Sequence, residues 1–193
     1  MTSADDEPAT SPAERATEVV RAWLDELATL EPTVGPHGQP VAVEYELGAR
    51  PGEFVVQLPG ERKLHTAVSL LVGDHSLSAS AFVVRKPDEN REGVYRWLLE
   101  RNTRLRQVAF GLDSSGDVHL TGRLPVEAVS ARSVDALLGE ILAVSDESFN
   151  ELLALGFLSS MRKEWAWRVS RGQSTRNLDA FRHLLDPEGA AQG

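Results

Sequence analysis

Apolar residues recur at two different periods along the chain, and the switches between them lay out its elements. Val20, Trp23, Leu24, Leu27 and Leu30 repeat at three- and four-residue spacing, which predicts a helix with one buried stripe. Ser11-Pro12-Ala13-Glu14 opens that helix, with serine as N-cap, proline at the first helical position and glutamate placed to close a capping box. Glu31-Pro32 and the run Gly35-Pro36-His37-Gly38 end it.

From Val41 the period drops to two. Val41 to Leu47, Phe54 to Leu58, Leu64 to Val72 and Leu77 to Val84 read as strands divided by Pro51-Gly52, Pro59-Gly60 and Gly73-Asp74, and turns this short join antiparallel neighbours. In the third strand Leu64, Thr66, Val68, Leu70 and Val72 point to the core, while His65, Ala67, Ser69 and Leu71 point away. Asp88 to Thr103 returns to helical spacing through Val94, Trp97, Leu98 and Arg101. A second hairpin follows: Val108, Phe110 and Leu112 alternate inward, Asp113-Ser114-Ser115-Gly116 turns, and Val118, Leu120 and Leu124 come back. Ser133 to Phe157 is the longest apolar periodic segment, either one helix or two broken near Ser145-Asp146. Helices from Ser160 to Arg171 and around Leu178 to Leu185 finish the chain. This order specifies an α+β fold, an antiparallel sheet of about five to six strands with helices mainly on one face.

Residues 1–11 are small and acidic without periodicity, and 186–193 read likewise, so both are expected to be disordered tails around a single domain over 12–185 with one core. The 193 residues contain no cysteine, which removes disulfides, thiolate metal sites and cysteine nucleophiles. The amino terminus carries Asp5, Asp6 and Glu7 in place of a basic segment and apolar run, and no apolar stretch approaches membrane-spanning length, so a cytoplasmic location is expected. Net charge is -9, and residues 1–60 hold 3 basic against 11 acidic side chains, so the excess negative charge is almost all amino-terminal. That balance disfavours nucleic acid as a partner, although the segment from Ser159 to His183 is net positive.

Trp165 and Trp167 lie two residues apart, about 200° around a helix, and cannot share a face. Trp165 aligns with Met161 and Val169 on an apolar stripe, whereas Trp167 aligns with Lys163 and Arg171 on a solvent-side stripe. Lys163, Trp167, Arg168 and Arg171 are therefore the candidate partner-binding residues, against the alternative that Phe181 or Leu184 covers Trp167. Arg91, Arg96, Arg101, Arg104 and Arg106 interleave with Glu89, Glu92 and Glu100, which reads as ion pairs along a solvated helix. Ser160 and Lys163 fit S-x-x-K, a spacing that lets a lysine activate a serine, but its companion motifs S-D-N and K-T-G are missing. The run from Asp113 to Asp117 starts like a calcium loop, yet Val118 and Leu124 stand where glycine and glutamate belong, and a hairpin turn explains it. Glu44 and Glu46 share one side of a strand and read as solvated. His37, His65, His75, His119 and His183 show no metal-ligand spacing, and no phosphate-binding or nucleophile-elbow motif occurs, so neither metal nor cofactor is expected.

The order of elements, together with Val108-Ala109-Phe110-Gly111-Leu112-Asp113, Gly116-Asp117-Val118-His119-Leu120-Thr121-Gly122-Arg123, Phe149-Asn150-Glu151-Leu152-Leu153 and Glu164-Trp165-Ala166-Trp167-Arg168, resembles the actinobacterial YbjN-domain proteins over roughly residues 15–185. That family resembles the class I type III secretion chaperones in fold and is loosely labelled a sensory transduction regulator. The resemblance implies dimerisation and capture of a partner chain, and it supplies no catalytic residue. The chain differs from the pattern in its longer helical end after Gly156.

The expectation is a non-catalytic protein-interaction module, chaperone- or adaptor-like, binding another protein or forming a homodimer. The alternatives are a regulator that binds nucleic acid through its basic carboxyl-terminal helices, and a serine hydrolase using Ser160 and Lys163.

Overall fold

The computed structural model describes residues 10–34, 38 and 40–186. The two expected tails fall almost wholly outside the described residues. Helix α1 (Pro12–Ala28) starts where its capping box predicts: Glu14 N–H donates to Ser11 Oγ at 3.1 Å, and Ser11 N–H donates to Glu14 Oε2 at 2.7 Å. Its buried stripe is Ala16, Val20 and Leu24, with Trp23 packed beside it. Leu30, expected on that stripe, is exposed because the helix stops at the Thr29 C-cap.

The expected strand from Val41 to Leu47 is broken at 42–43 into two pieces. A two-stranded ribbon, β1 (Thr33–Val34) with β2 (Pro40–Val41), precedes the main sheet. That sheet comprises β3 (Glu44–Leu47), β4 (Glu53–Pro59), β5 (His65–Val72), β6 (Ser76–Val84), β7 (Val108–Leu112) and β8 (Val118–Pro125). Its order is β3-β4-β5-β6-β8-β7, and every pairing is antiparallel. The period-two reading is exact to the residue in β5, where Thr66, Val68, Leu70 and Val72 are buried. Leu64 departs from it: it precedes the strand and is exposed. The β7–β8 turn closes through Gly116 at φ 86°, with Asp113 Oδ1 accepting from Ser115 N–H at 2.8 Å and Asp117 N–H at 2.9 Å. That geometry makes it a hairpin turn.

All helices that pack on the sheet do so on one face. Helix α2 (Arg91–Asn102) lies against β7 and α3, and α3 (Ala131–Gly156) crosses β5, β6, β8 and β7. Asn102 clasps the edge strand, donating to Phe110 O at 3.1 Å and accepting from Phe110 N–H at 2.7 Å, which covers backbone groups a free edge would expose. Phe54, Leu70, Leu77 and Leu120 from the sheet and Leu24, Leu137, Ile141 and Leu152 from the helices are all fully buried. Each such side chain contributes about 1.5–3 kcal/mol of transfer free energy. The opposite sheet face, with Ala67, Ser80, Phe82, Thr121 and Ala109, is exposed.

Helix α3 is continuous through Ser145-Asp146, so the single-helix reading holds and the break falls at Phe157 instead. There φ is -141° and ψ 11°, and the chain turns into α4 (Leu158–Ser170). A 3-10 turn (Arg176–Phe181) and α5 (Arg182–Leu185) are the last elements among the described residues. Met161, Leu178 and Phe181 form a second small hydrophobic cluster with Leu153, Trp165 and Leu184 around it. The turn at Phe157 carries α4 off the sheet, so its apolar side has this small satellite cover, and Leu153 packs against both it and the main core.

Candidate functional site

Helix α4 is held from its first turn. Asp88 and Glu89 N–H both donate to Gly156 O, at 3.0 and 3.2 Å, which satisfies the end of α3. Their side chains then cap α4: Ser159 N–H donates to Glu89 Oε1 at 2.6 Å, its hydroxyl donates to Oε2 at 2.5 Å, and Ser160 Oγ donates to Asp88 Oδ2 at 2.8 Å. Two carboxylates at a helix amino terminus also complement its dipole. Arg85, then the Ser160 hydroxyl, hold the Asp88 carboxyl below its usual range, and the Ser159 hydroxyl and N–H do the same for Glu89.

This anchoring decides where the candidate residues stand. Ser160 is engaged by Asp88, while Lys163 is exposed and has no hydrogen bond or ion pair among the described residues, so the S-x-x-K pair is not brought into contact. Trp167 is 49% exposed, and the Arg171 guanidinium lies 5.9 Å from its ring centroid. Neither Phe181 nor Leu184 covers that ring; both belong to the cluster around Met161 and Leu178, on the side where Trp165 packs. Arg168 is turned inward, donating from Nε to Glu164 Oε1 at 2.8 Å and from Nη1 to Ser174 O at 2.9 Å. Lys163, Trp167 and Arg171 therefore form the outward ridge, with Arg168 bracing the turn behind it. Val169, expected on the buried stripe with Trp165, is 57% exposed, because the last turn of α4 overruns the cluster that covers Met161.

The arginine-rich helix α2 corrects another expectation. Arg96 does pair with Glu92, at 3.5 Å, but Arg101 pairs with Glu147 of α3 at 2.6 Å and Arg91 donates to Pro87 O at 3.1 Å. Glu89, expected among these arginines, instead serves α4. Among the described residues no group of three ligating side chains could hold a metal ion, and no helix is long and apolar enough to cross a membrane.

Sequence reasoning missed Lys63. It sits in the β4–β5 loop, and its ammonium donates to Phe82 O at 2.5 Å, with its Nζ 5.4 Å from the Phe82 ring centroid. Its loop is fixed by Asp146, 83 residues away in sequence, and the only signal for that contact was the polar interruption in the α3 stripe.

Proteins of known sequence share most of this chain. An uncharacterised protein of Mycobacterium leprae is 54% identical over 136 residues, 70% of this chain and 74% of its own length. An uncharacterised protein of Mycobacterium tuberculosis is 56% identical over 137 residues, 71% and 75% of the two lengths. Among solved structures, YbjN from E. coli aligns at TM-score 0.48 with 15% identity, covering 68% of this chain and 89% of that one. The Yersinia pestis type III secretion chaperone SycH, solved in complex with a fragment of YscM2, aligns at TM-score 0.46 with 14% identity, covering 67% and 96%. The YbjN family model, described as "Putative bacterial sensory transduction regulator", matches residues 16–154, which takes in most of α1, the whole main sheet, α2 and nearly all of α3 and leaves the α4 ridge beyond its end. The chain belongs to the YbjN family.

Proposed function

We propose that this chain is a non-catalytic protein-interaction module, a chaperone- or adaptor-like regulator. It binds another protein or a second copy of itself through the outer face of α4. The observation that carries this reading is the Trp167 indole, 49% exposed on an anchored helix with the Arg171 guanidinium over it and Lys163 one turn before. A large amphipathic ring flanked by cations is the composition that interface hot spots favour, and truncating one costs about 2 kcal/mol or more. Membership of a family labelled as a regulator supports the same reading.

The test compares wild type with Trp167→Ala by light scattering over a concentration series and by crosslinking mass spectrometry in native lysate. The expected result is a homodimer or a stable hetero-complex crosslinked through Lys163 and weakened at least roughly tenfold by the substitution. A monomer at every concentration, with no protein crosslinked at Lys163, removes the reading.

A further inference from the structure

Where the main core meets the smaller carboxyl-terminal cluster lies a cleft of about 570 Å³. That volume falls inside the roughly 300–1,000 Å³ typical of small-molecule sites. Val83 and Val84 of β6, Leu153 of α3, Phe157 at the helix junction, Met161 of α4 and Phe181 of the 3-10 turn give it apolar walls.

The cleft lies beside the place where β5 and β6 part. The β4–β5 ladder runs on to Pro59↔His65, but β5 pairs with β6 only from Val72↔Leu77 to Val68↔Ala81, and β6 bulges between Phe82 and Val84. Lys63 reaches into this gap. Its ammonium donates to Phe82 O at 2.5 Å and lies 3.4 Å from Val83 O, and among the described residues it makes no ion pair. Burial pushes it below the usual lysine value, opposed by the charge of Asp146. The carboxylate of Asp146 acts on this ammonium only from beyond ion-pair distance, its Oδ1 being taken by the main-chain N–H groups of Arg62 and Lys63, so an anion arriving in the cleft would be the first charge in direct contact with a cation held by two carbonyls and the Phe82 ring.

The other polar side chains around the cleft are already engaged. Arg85 and Ser160 both bind Asp88, Glu164 binds Arg168, and Asn177 donates to Glu164. Asp88 and Glu164 are thus offset by Arg85 and Arg168, and Lys63 is the lining cation without an ion pair among the described residues. A peptide would bring N–H and C=O groups needing partners of their own, which such walls do not provide. The geometry points to a binding site for a medium-chain alkyl carboxylate, its head on Lys63 and its chain along the apolar walls between β6 and α4. This inference is independent of the α4 outer face, since the cleft lies on the helix's inner side.

The experiment is calorimetric titration of the full chain with decanoate below its micelle-forming concentration, beside decanol and N-acetylated trileucine. The same titrations are run on Lys63→Met, with thermal melting to follow folding. The expected result is saturable one-to-one binding of decanoate, at least tenfold tighter than decanol, falling to the decanol level in Lys63→Met. The comparison of decanoate with decanol on the unaltered chain stands whatever the variant does to folding. Equal affinities for acid and alcohol, absence of saturable binding, unchanged affinity in a folded Lys63→Met, or tighter binding of trileucine would each overturn the assignment.

Discussion

One oxygen of Asp146, Oδ1, accepts the main-chain N–H of Lys63 at 3.0 Å, and it also takes that of Arg62 at 2.8 Å. Asp146 is only 9% exposed, so a single side chain on α3 fixes the β4–β5 loop from inside the fold. Asp146→Ala leaves both donors unmatched in a partly buried site and is expected to cost about 2–3 kcal/mol, whereas Asp146→Asn keeps one acceptor oxygen and loses about 1 kcal/mol. Urea denaturation of the three proteins checks this. A loss below about 0.5 kcal/mol for the alanine variant would mean the loop is held by other contacts.

The same loop sets a steric demand at Gly60. A Cβ there would lie 2.2 Å from Lys63 O and 2.6 Å from Asp146 Oδ1, and a backbone oxygen cannot swing aside as a flexible side-chain end can. Gly139, inside α3, has nothing within 4 Å of its would-be Cβ. Gly60→Ala should therefore destabilise the chain by about 2 kcal/mol or more through forced backbone movement. Gly139→Ala should stabilise it by about 0.5–1 kcal/mol, because glycine loses more freedom on entering a helix. Opposite shifts in melting temperature are the expected outcome, and shifts of the same sign would contradict the steric account.

Periodicity carried the sheet and helices because burial on one face imposes it: the alternation of Thr66, Val68, Leu70 and Val72 could not slip by one residue without inverting the strand. The S-P-A-E start of α1 was equally legible, since a capping box is a local device. Long-range pairings left no such trace. Arg101 had Glu100 beside it in sequence yet pairs with Glu147, and nothing near Lys63 announced Asp146. Ser145-Asp146 was visible as a polar interruption in an apolar stripe, but a helix break and a buried tertiary anchor look alike until the partner loop is placed. The outward position of Trp167 followed from its angle to Trp165; the inward turn of Arg168 did not, because it depends on Glu164 and the carbonyl of Ser174.

The two tryptophans of α4 should separate stability from association. Trp165 packs beside Met161, Leu178 and Phe181 with the Arg182 guanidinium 5.9 Å from its ring centroid, whereas Trp167 leaves half its surface to solvent. Trp165→Ala is expected to cost about 2 kcal/mol, less than the loss for a fully buried tryptophan. Trp167→Ala should change folding stability by no more than about 0.5 kcal/mol. Chemical denaturation of both variants reads the difference directly. Comparable losses would show that Trp167 serves the fold.

Glu53 ties the pH dependence of folding to the first hairpin. Its carboxylate accepts from Arg50 Nη2 at 2.9 Å, from Arg50 Nε and N–H at 3.2 Å each, and from the Ser69 hydroxyl at 2.9 Å. The Arg50 guanidinium first, then Ser69 and the Arg50 N–H, lower its pKa from the ordinary 4.5 to about 2. A depressed folded value means that the unfolded chain takes up the proton first on acidification. The contribution of Glu53 is therefore complete above about 4.5 and is lost as pH falls from there through about 2. Glu53→Gln removes the ionisation, so its melting temperature should fall less steeply than that of wild type across this window, and the two proteins should differ most at neutral pH. Parallel decline of the two curves through the window would show that the charge of Glu53 contributes nothing to the acid sensitivity of the fold.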